Sequence, residues 1–143
     1  MRPIPPHSLW LGHAGDGQDF RRVLESGIQV VVQLAAEEPP LALPRDLVYC
    51  RFPLVDGPGN DKNLLRLAIT TIASLLEMNL TTLVECGAGL SRSPAISAAG
   101  LALALHDSPE ACLSQVTEHF PADVAPGLWI EVMGLVASLR NPA

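Results

Sequence analysis

The sequence predicts an α/β domain of three layers, in which helices cover both faces of one sheet. Three observations carry this. The β-branched runs "IQVVVQLA" (28–35) and "TTLVE" (81–85) read as strands, the first apolar enough to be buried on both faces. Helix-period stretches separate and follow them, the later ones nearly all apolar. No repeat, low-complexity segment or linker composition divides the 143 residues, so one domain accounts for the whole chain.

Taken in order, "SLWLG" (8–12) is a short strand stopped by a glycine. "DGQDFRRVLESG" (16–27) reads as a helix, with Asp16 as cap, Phe20, Val23 and Leu24 on one face, and Gly27 as stop. After the strand at 28–35, the proline-rich "EEPPLALPRD" leads to a strand at 47–55. Pro53 there means that pairing ends or that the strand is an edge. "DGPGNDK" is a loop. The next helix, 63–78, carries an apolar stripe of Leu64, Leu67, Ala68, Ile72, Leu75 and Leu76. Beyond the strand at 81–85, "RSPAISAAGLALAL" (92–105) is apolar on every face and therefore central, with Pro94 in its first turn. Helices at 108–120, capped by Ser108 with Pro109 at its first position, and at 126–140 close the chain.

Composition excludes several classes of function. Hydrophobic residues are 48% and charged residues 17%, which fits a packed core and not a disordered chain. Aromatics are only 4%, so aliphatic and alanine side chains fill most of that core. A net charge of −6 without a Lys/Arg cluster argues against nucleic acid and against anionic lipid surfaces. The start lacks the apolar segment of a secretory signal, and no apolar run reaches the length of a membrane span. Cys50, Cys86 and Cys112 are an odd set without paired short spacing, and His7, His13, His106 and His119 are dispersed, so neither a disulfide scaffold nor a metal centre is expected. The expectation is a reduced, cytoplasmic monomer.

The chemistry concentrates in "VECGAGLSRSP" (84–94), where Cys86 is followed after five residues by Arg92 and Ser93. A helix start leaves backbone N–H groups without internal partners and carries the positive end of the helix dipole. Gly87, Ala88 and Gly89 let successive amides turn inward as a nest for a tetrahedral anion, and Arg92 adds a two-pronged clamp. The same field lowers the pKa of a thiol, which makes Cys86 a candidate nucleophile. Ser93 is placed to donate a hydrogen bond to the sulfur. A phosphocysteine route also needs one carboxyl group to act first as acid and then as base. Asp56, in the loop after the strand at 47–55, is the candidate, with Asp61 in the same loop as fallback.

These residues resemble the signature loop of the cysteine-dependent protein tyrosine phosphatase superfamily, in particular its compact dual-specificity branch. "LWLGHAGDGQDFRRVLESGIQVVVQLA", "YCRFPLVDG" and "SPEACLSQV" extend the similarity over most of the chain. The resemblance implies a mixed, mostly parallel sheet and a shallow site. It implies Cys86 as nucleophile, Arg92 as clamp, Ser93 as thiolate partner and Asp56 as acid and base. The backbone amides of Gly87, Ala88, Gly89, Leu90 and Ser91 would bind phosphate oxygens without metal or organic cofactor. The implied substrate is a phosphorylated protein or a small phosphomonoester. The loop has no lysine of the kind found in relatives that act on inositol phosphates, which disfavours that class.

One residue departs from the pattern: Glu85 stands where the family carries histidine. A charge there, close to the sulfur, would raise the thiol pKa. Strand alternation turns the side chain away instead, to accept backbone or hydroxyl hydrogen bonds. The expectation is an active enzyme whose thiol is less acidic than that of its relatives. The alternatives are a phosphate-binding module that has lost turnover through Glu85, and another C-x5-R oxyanion enzyme such as a sulfurtransferase or arsenate reductase. The mid-chain cysteine, with an acid-bearing loop before it, favours the phosphatase. Cys50 reads as a structural strand cysteine, with a protective disulfide to Cys86 as the alternative that some relatives suggest. Cys112, Trp10 and Trp129 read as core.

Overall fold

The computed structural model describes residues 1–141. The sheet is built around β5 (Thr82–Cys86), every residue of which is buried. Parallel neighbours flank it, β2 (Leu9–His13) on one side and β3 (Val30–Ala35) on the other. Beyond β3 lies β4 (Val48–Leu54), also parallel, and beyond β2 the two-residue β1 (Arg2–Pro3), antiparallel. The order β1-β2-β5-β3-β4 is therefore mixed and mostly parallel. No strand is expected at 2–3 from sequence, since two residues, one a proline, carry no periodicity. Pro53 sits within β4, an edge strand, where a missing backbone donor is tolerated.

The period of two along the central strands sorts their side chains into two layers. Val30, Val32, Leu34, Val84 and Cys86 join the main core, whereas Val31 and Leu83 join a smaller cluster with Val23 and Ile28. On the main-core side pack α3 (Lys62–Glu77), α4 (Arg92–Leu105), α5 (Pro109–His119) and α6 (Pro126–Arg140). The short α1 (Ala14–Gln18) and α2 (Phe20–Glu25) cover the other face. Buried from Arg92 through Ala102, α4 is the central helix. It runs so close to α3 that a Cβ on Gly100 would come within 2.5 Å of Ile72 Cγ2. Small side chains thus set the spacing of the central helix pair.

Two readings need correction. The helix expected over 16–27 is two helices, because His13 rather than Asp16 caps the first. The His13 side chain accepts the Gly15 N–H, and Asp16 reaches back to the His13 N–H. Asp19 then caps α2 by accepting the Arg22 N–H at 3.2 Å. Of the face expected there, only Val23 is buried, and Leu24 is exposed. On α3 the buried stripe is Leu65, Ala68, Ile69, Ile72, Ala73 and Leu75, so Leu67 faces outward. The apolar residues of this helix exceed one face, and only packing against α4 selects which of them go inside.

Candidate active site

β5 ends at Cys86 and α4 starts at Arg92, so the five residues between them form a loop beneath the helix N-terminus. Cys86 is 2% exposed, and its Sγ accepts the N–H of Ser93 at 3.4 Å. The contact to sulfur thus comes from the amide of Ser93, whereas its hydroxyl, the donor expected from sequence, is buried without a partner among the described residues. Ser91, the residue before α4, makes no side-chain cap to the helix; its Oγ instead accepts the Ala125 N–H at 2.9 Å. Ser91 thus leaves the first-turn amides of α4 uncapped, apart from the Ser93 N–H that meets Cys86 Sγ, and the helix dipole acts on the loop. Gly89 has φ +80°, and a Cβ there would lie 2.9 Å from the Gly12 carbonyl oxygen. Both its conformation and the close approach of β2 require glycine at this position.

A cleft of about 180 Å³ opens over this loop, lined by Asp56, Cys86, Ala88, Gly89, Leu90, Ser91, Arg92 and Asp123. Most of the residues singled out from sequence thus meet at one place. Gly87 and Ser93 belong to the same loop and helix start but do not line the cleft. Asp61 is elsewhere, capping α3 by accepting the Leu64 N–H at 3.0 Å, which leaves Asp56 as the loop's acid in the cleft.

Sequence reading missed Glu37. Its carboxylate grips Arg92 with both oxygens, Nη1–Oε1 at 2.6 Å and Nη2–Oε2 at 2.5 Å, and Arg92 Nη1 also donates to the Leu54 carbonyl at 2.8 Å. Hydrogen bonds from Arg92 hold the Glu37 carboxyl at about 2, well below its ordinary value. The guanidinium is thereby fixed across one edge, while Arg92 Nε, buried, has no hydrogen-bond partner among the described residues. The sequence signal was slight: an acid pair just after β3, at the C-terminal ends of the parallel strands where such folds place their sites.

Glu85 points to the other face of the sheet, toward α1. It is fully buried, and a Cβ on Gly17 would come within 2.9 Å of its Oε2. Neither carboxyl oxygen has a hydrogen-bond partner among the described residues, so the expected backbone or hydroxyl donors are not there. Burial, with Glu38 and Asp16 as like-charged neighbours, pushes its pKa up to about 8. At neutral pH the group is protonated and uncharged, and it exerts no like-charge effect on Cys86. Asp16 differs despite its own burial, which opposes ionisation. The His13 amide and the Met1 ammonium, 3.0 Å away, outweigh it and hold the Asp16 carboxyl below its ordinary value.

All three cysteines are free thiols. Cys112 is fully buried in the core, where burial pushes its thiol up to about 11, and Cys50 is half-buried on β4. Trp10 and Trp129 are only partly buried, each packed against the edge of a core cluster. Among the described residues no helix is long and apolar enough to cross a membrane.

No protein-family model matches the chain, and no curated protein sequence does. Solved structures match it closely in shape. Human DUSP28 superposes with a TM-score of 0.85 at 23% identity, covering 98% of both chains. A mouse putative dual specificity phosphatase complexed with zinc tungstate gives 0.84 at 23% identity, over 97% of this chain and 87% of that one. The human tyrosine phosphatase-like serine/threonine/tyrosine-interacting protein gives 0.81 at 20% identity, over 99% and 98%. The chain has the α/β fold of the dual-specificity phosphatases.

Proposed function

We propose that the protein is a cysteine-dependent phosphomonoesterase, acting on phosphorylated protein or a small phosphomonoester through a phosphocysteine intermediate. The observation that carries this reading is one cleft. In it Cys86 Sγ receives a helix-start N–H while Arg92 and Asp56 line the same space. The Cys86 thiolate attacks phosphorus in line with the ester oxygen, and the P–O bond breaks as Asp56 donates its proton to that oxygen. Amides of the 87–91 loop and Arg92 stabilise the charge on the equatorial oxygens. Asp56, now a carboxylate, takes a proton from water, which attacks phosphorus. The S–P bond breaks, and inorganic phosphate leaves with the thiolate restored. Arg92 takes part through Nε and the free edge of its fork, since Glu37 holds the other edge.

A second reading, a phosphate-binding module without turnover, draws support from Glu37, which already neutralises Arg92 at the cleft. Hydrolysis of p-nitrophenyl phosphate separates the two. Phosphatase action predicts turnover by the wild type, inhibition by vanadate, and a trapped phosphoenzyme on rapid acid quench. A folded wild type that binds vanadate but releases no nitrophenol would establish the binding module instead.

A further inference from the structure

Resting on the phosphatase reading, we propose that Asp123 selects the substrate: it favours phosphopeptides with a cationic residue beside the phosphorylated one. Asp123 lies on the 121–125 segment between α5 and α6, and this segment is fastened to the phosphate loop at two points. The Asp123 N–H donates to the Leu90 carbonyl at 2.7 Å, and the Ala125 N–H donates to Ser91 Oγ at 2.9 Å. An acid is thereby held at the rim of the catalytic cleft by backbone bonds, not left on a free loop.

Asp123 is also the point where the cleft meets a second depression. An open groove of about 390 Å³ runs between α5 and the start of α6, lined by Leu113, Thr117, Ala122, Asp123, Val124, Pro126 and Trp129. Apart from Thr117 and Asp123 its walls are apolar. Asp123 is exposed and forms no ion pair among the described residues. Asp56 lines the same cleft, and Arg92, the only cation lining it among the described residues, is held by Glu37. The rim is thus acidic around a pit built for a dianion.

These features suit one occupant. An arginine or lysine next to the phosphoresidue lays its apolar stem along Val124 and Trp129 and brings its charge to Asp123. An acidic neighbour meets Asp123 and Asp56 and is disfavoured, so discrimination comes from repulsion as well as attraction. Because Asp123 is exposed, the effect is modest and sensitive to salt.

The test compares two matched phosphotyrosine peptides, one with arginine and one with glutamate on both sides of the phosphotyrosine, for wild type, Asp123→Asn and Asp123→Lys. The ratio of kcat/KM for the two peptides is read within each enzyme. The expected ratio is roughly threefold to tenfold in favour of arginine for wild type at low salt. It falls toward one for Asp123→Asn, reverses for Asp123→Lys, and shrinks in wild type at 0.5 M NaCl. A wild-type ratio near one, or a ratio that survives Asp123→Lys, overturns the proposal. p-Nitrophenyl phosphate, which has no flanking residue, reports on the phosphatase reading separately. If wild type does not hydrolyse it, that reading falls, and the selection is read from binding of the same peptides to Cys86→Ser by fluorescence anisotropy. Equal affinities there overturn the selection as well.

Discussion

Cys86 and Glu85 are consecutive on β5, both are buried, and both carry a weak acid, yet the two faces of the sheet treat them in opposite ways. On the main-core face the sulfur receives the Ser93 N–H at the start of a helix, with Arg92 lining the same cleft. On the α1 face the carboxyl lies against Gly17 with the acids Asp16 and Glu38 nearby, and among the described residues no donor reaches either oxygen. The fold therefore sets a donor beside the group on one side of the strand and, among the described residues, none beside the group on the other. Burial alone does not decide how an acid ionises; the donors and charges that come with burial do.

The largest effect is expected at Cys86. Cys86→Ser should lower p-nitrophenyl phosphate turnover by at least about 10⁴-fold, because it removes the nucleophile of the proposed covalent intermediate. Asp56→Ala should lower kcat by about 10²–10⁴-fold on an alkyl phosphate, whose leaving oxygen needs a proton. The loss should be smaller with p-nitrophenyl phosphate, whose leaving group departs as a stable anion. Equal losses on the two substrates would remove Asp56 as the acid.

The Glu85 half is tested by pH. Because the folded pKa of Glu85 is raised, the native state binds more protons than the unfolded state between pH 4.5 and 8. The stability it contributes is therefore complete below about pH 4.5 and declines as pH rises toward 8. Denaturant titrations should show wild type losing on the order of 3 kcal/mol between pH 5 and pH 8 from this group, and Glu85→Gln should lack that loss. Below pH 7 the same variant should leave the rate of Cys86 alkylation by iodoacetamide unchanged, since Glu85 and the glutamine that replaces it are both uncharged there. A marked change would mean that the sheet does not insulate the two faces.

The smallest effect concerns Glu37. Glu37→Gln keeps the shape but removes the charge opposite Arg92. It should change KM for p-nitrophenyl phosphate by about threefold to thirtyfold, as expected when a charged hydrogen bond is replaced by a neutral one. A fall in KM would mean that Glu37 competes with phosphate for Arg92, and a rise that it orients the guanidinium.

Much of this was legible in local pattern. The central strands, α4 and α6 stood out because burial on all sides leaves runs with no polar face to confuse the reading. The spacing of Cys86, Arg92 and Ser93 sits inside one strand–loop–helix unit, so sequence neighbours are also neighbours in the site. The break at Asp19, the inward face of α3 and the edge strand β1 were not legible, because each depends on a partner element. Glu37 and Asp123 escaped for the same reason: 55 residues separate Glu37 from Arg92, and Asp123 reaches the cleft only because its segment is bonded to Leu90 and Ser91.

By itself the sequence determined the α/β class, the order of the principal elements and the loop in which a thiol, an arginine and inward-turned amides share one helix start. These follow from short-range physics: side-chain period, turn chemistry and the unpaired donors at a helix terminus. The tertiary structure decided which carboxylate stands over that loop, which one holds the arginine, and that the acid beside the cysteine bears a proton on the far face of the sheet. Ionisation and selectivity depend on the distance to groups remote in sequence, and packing alone sets that distance.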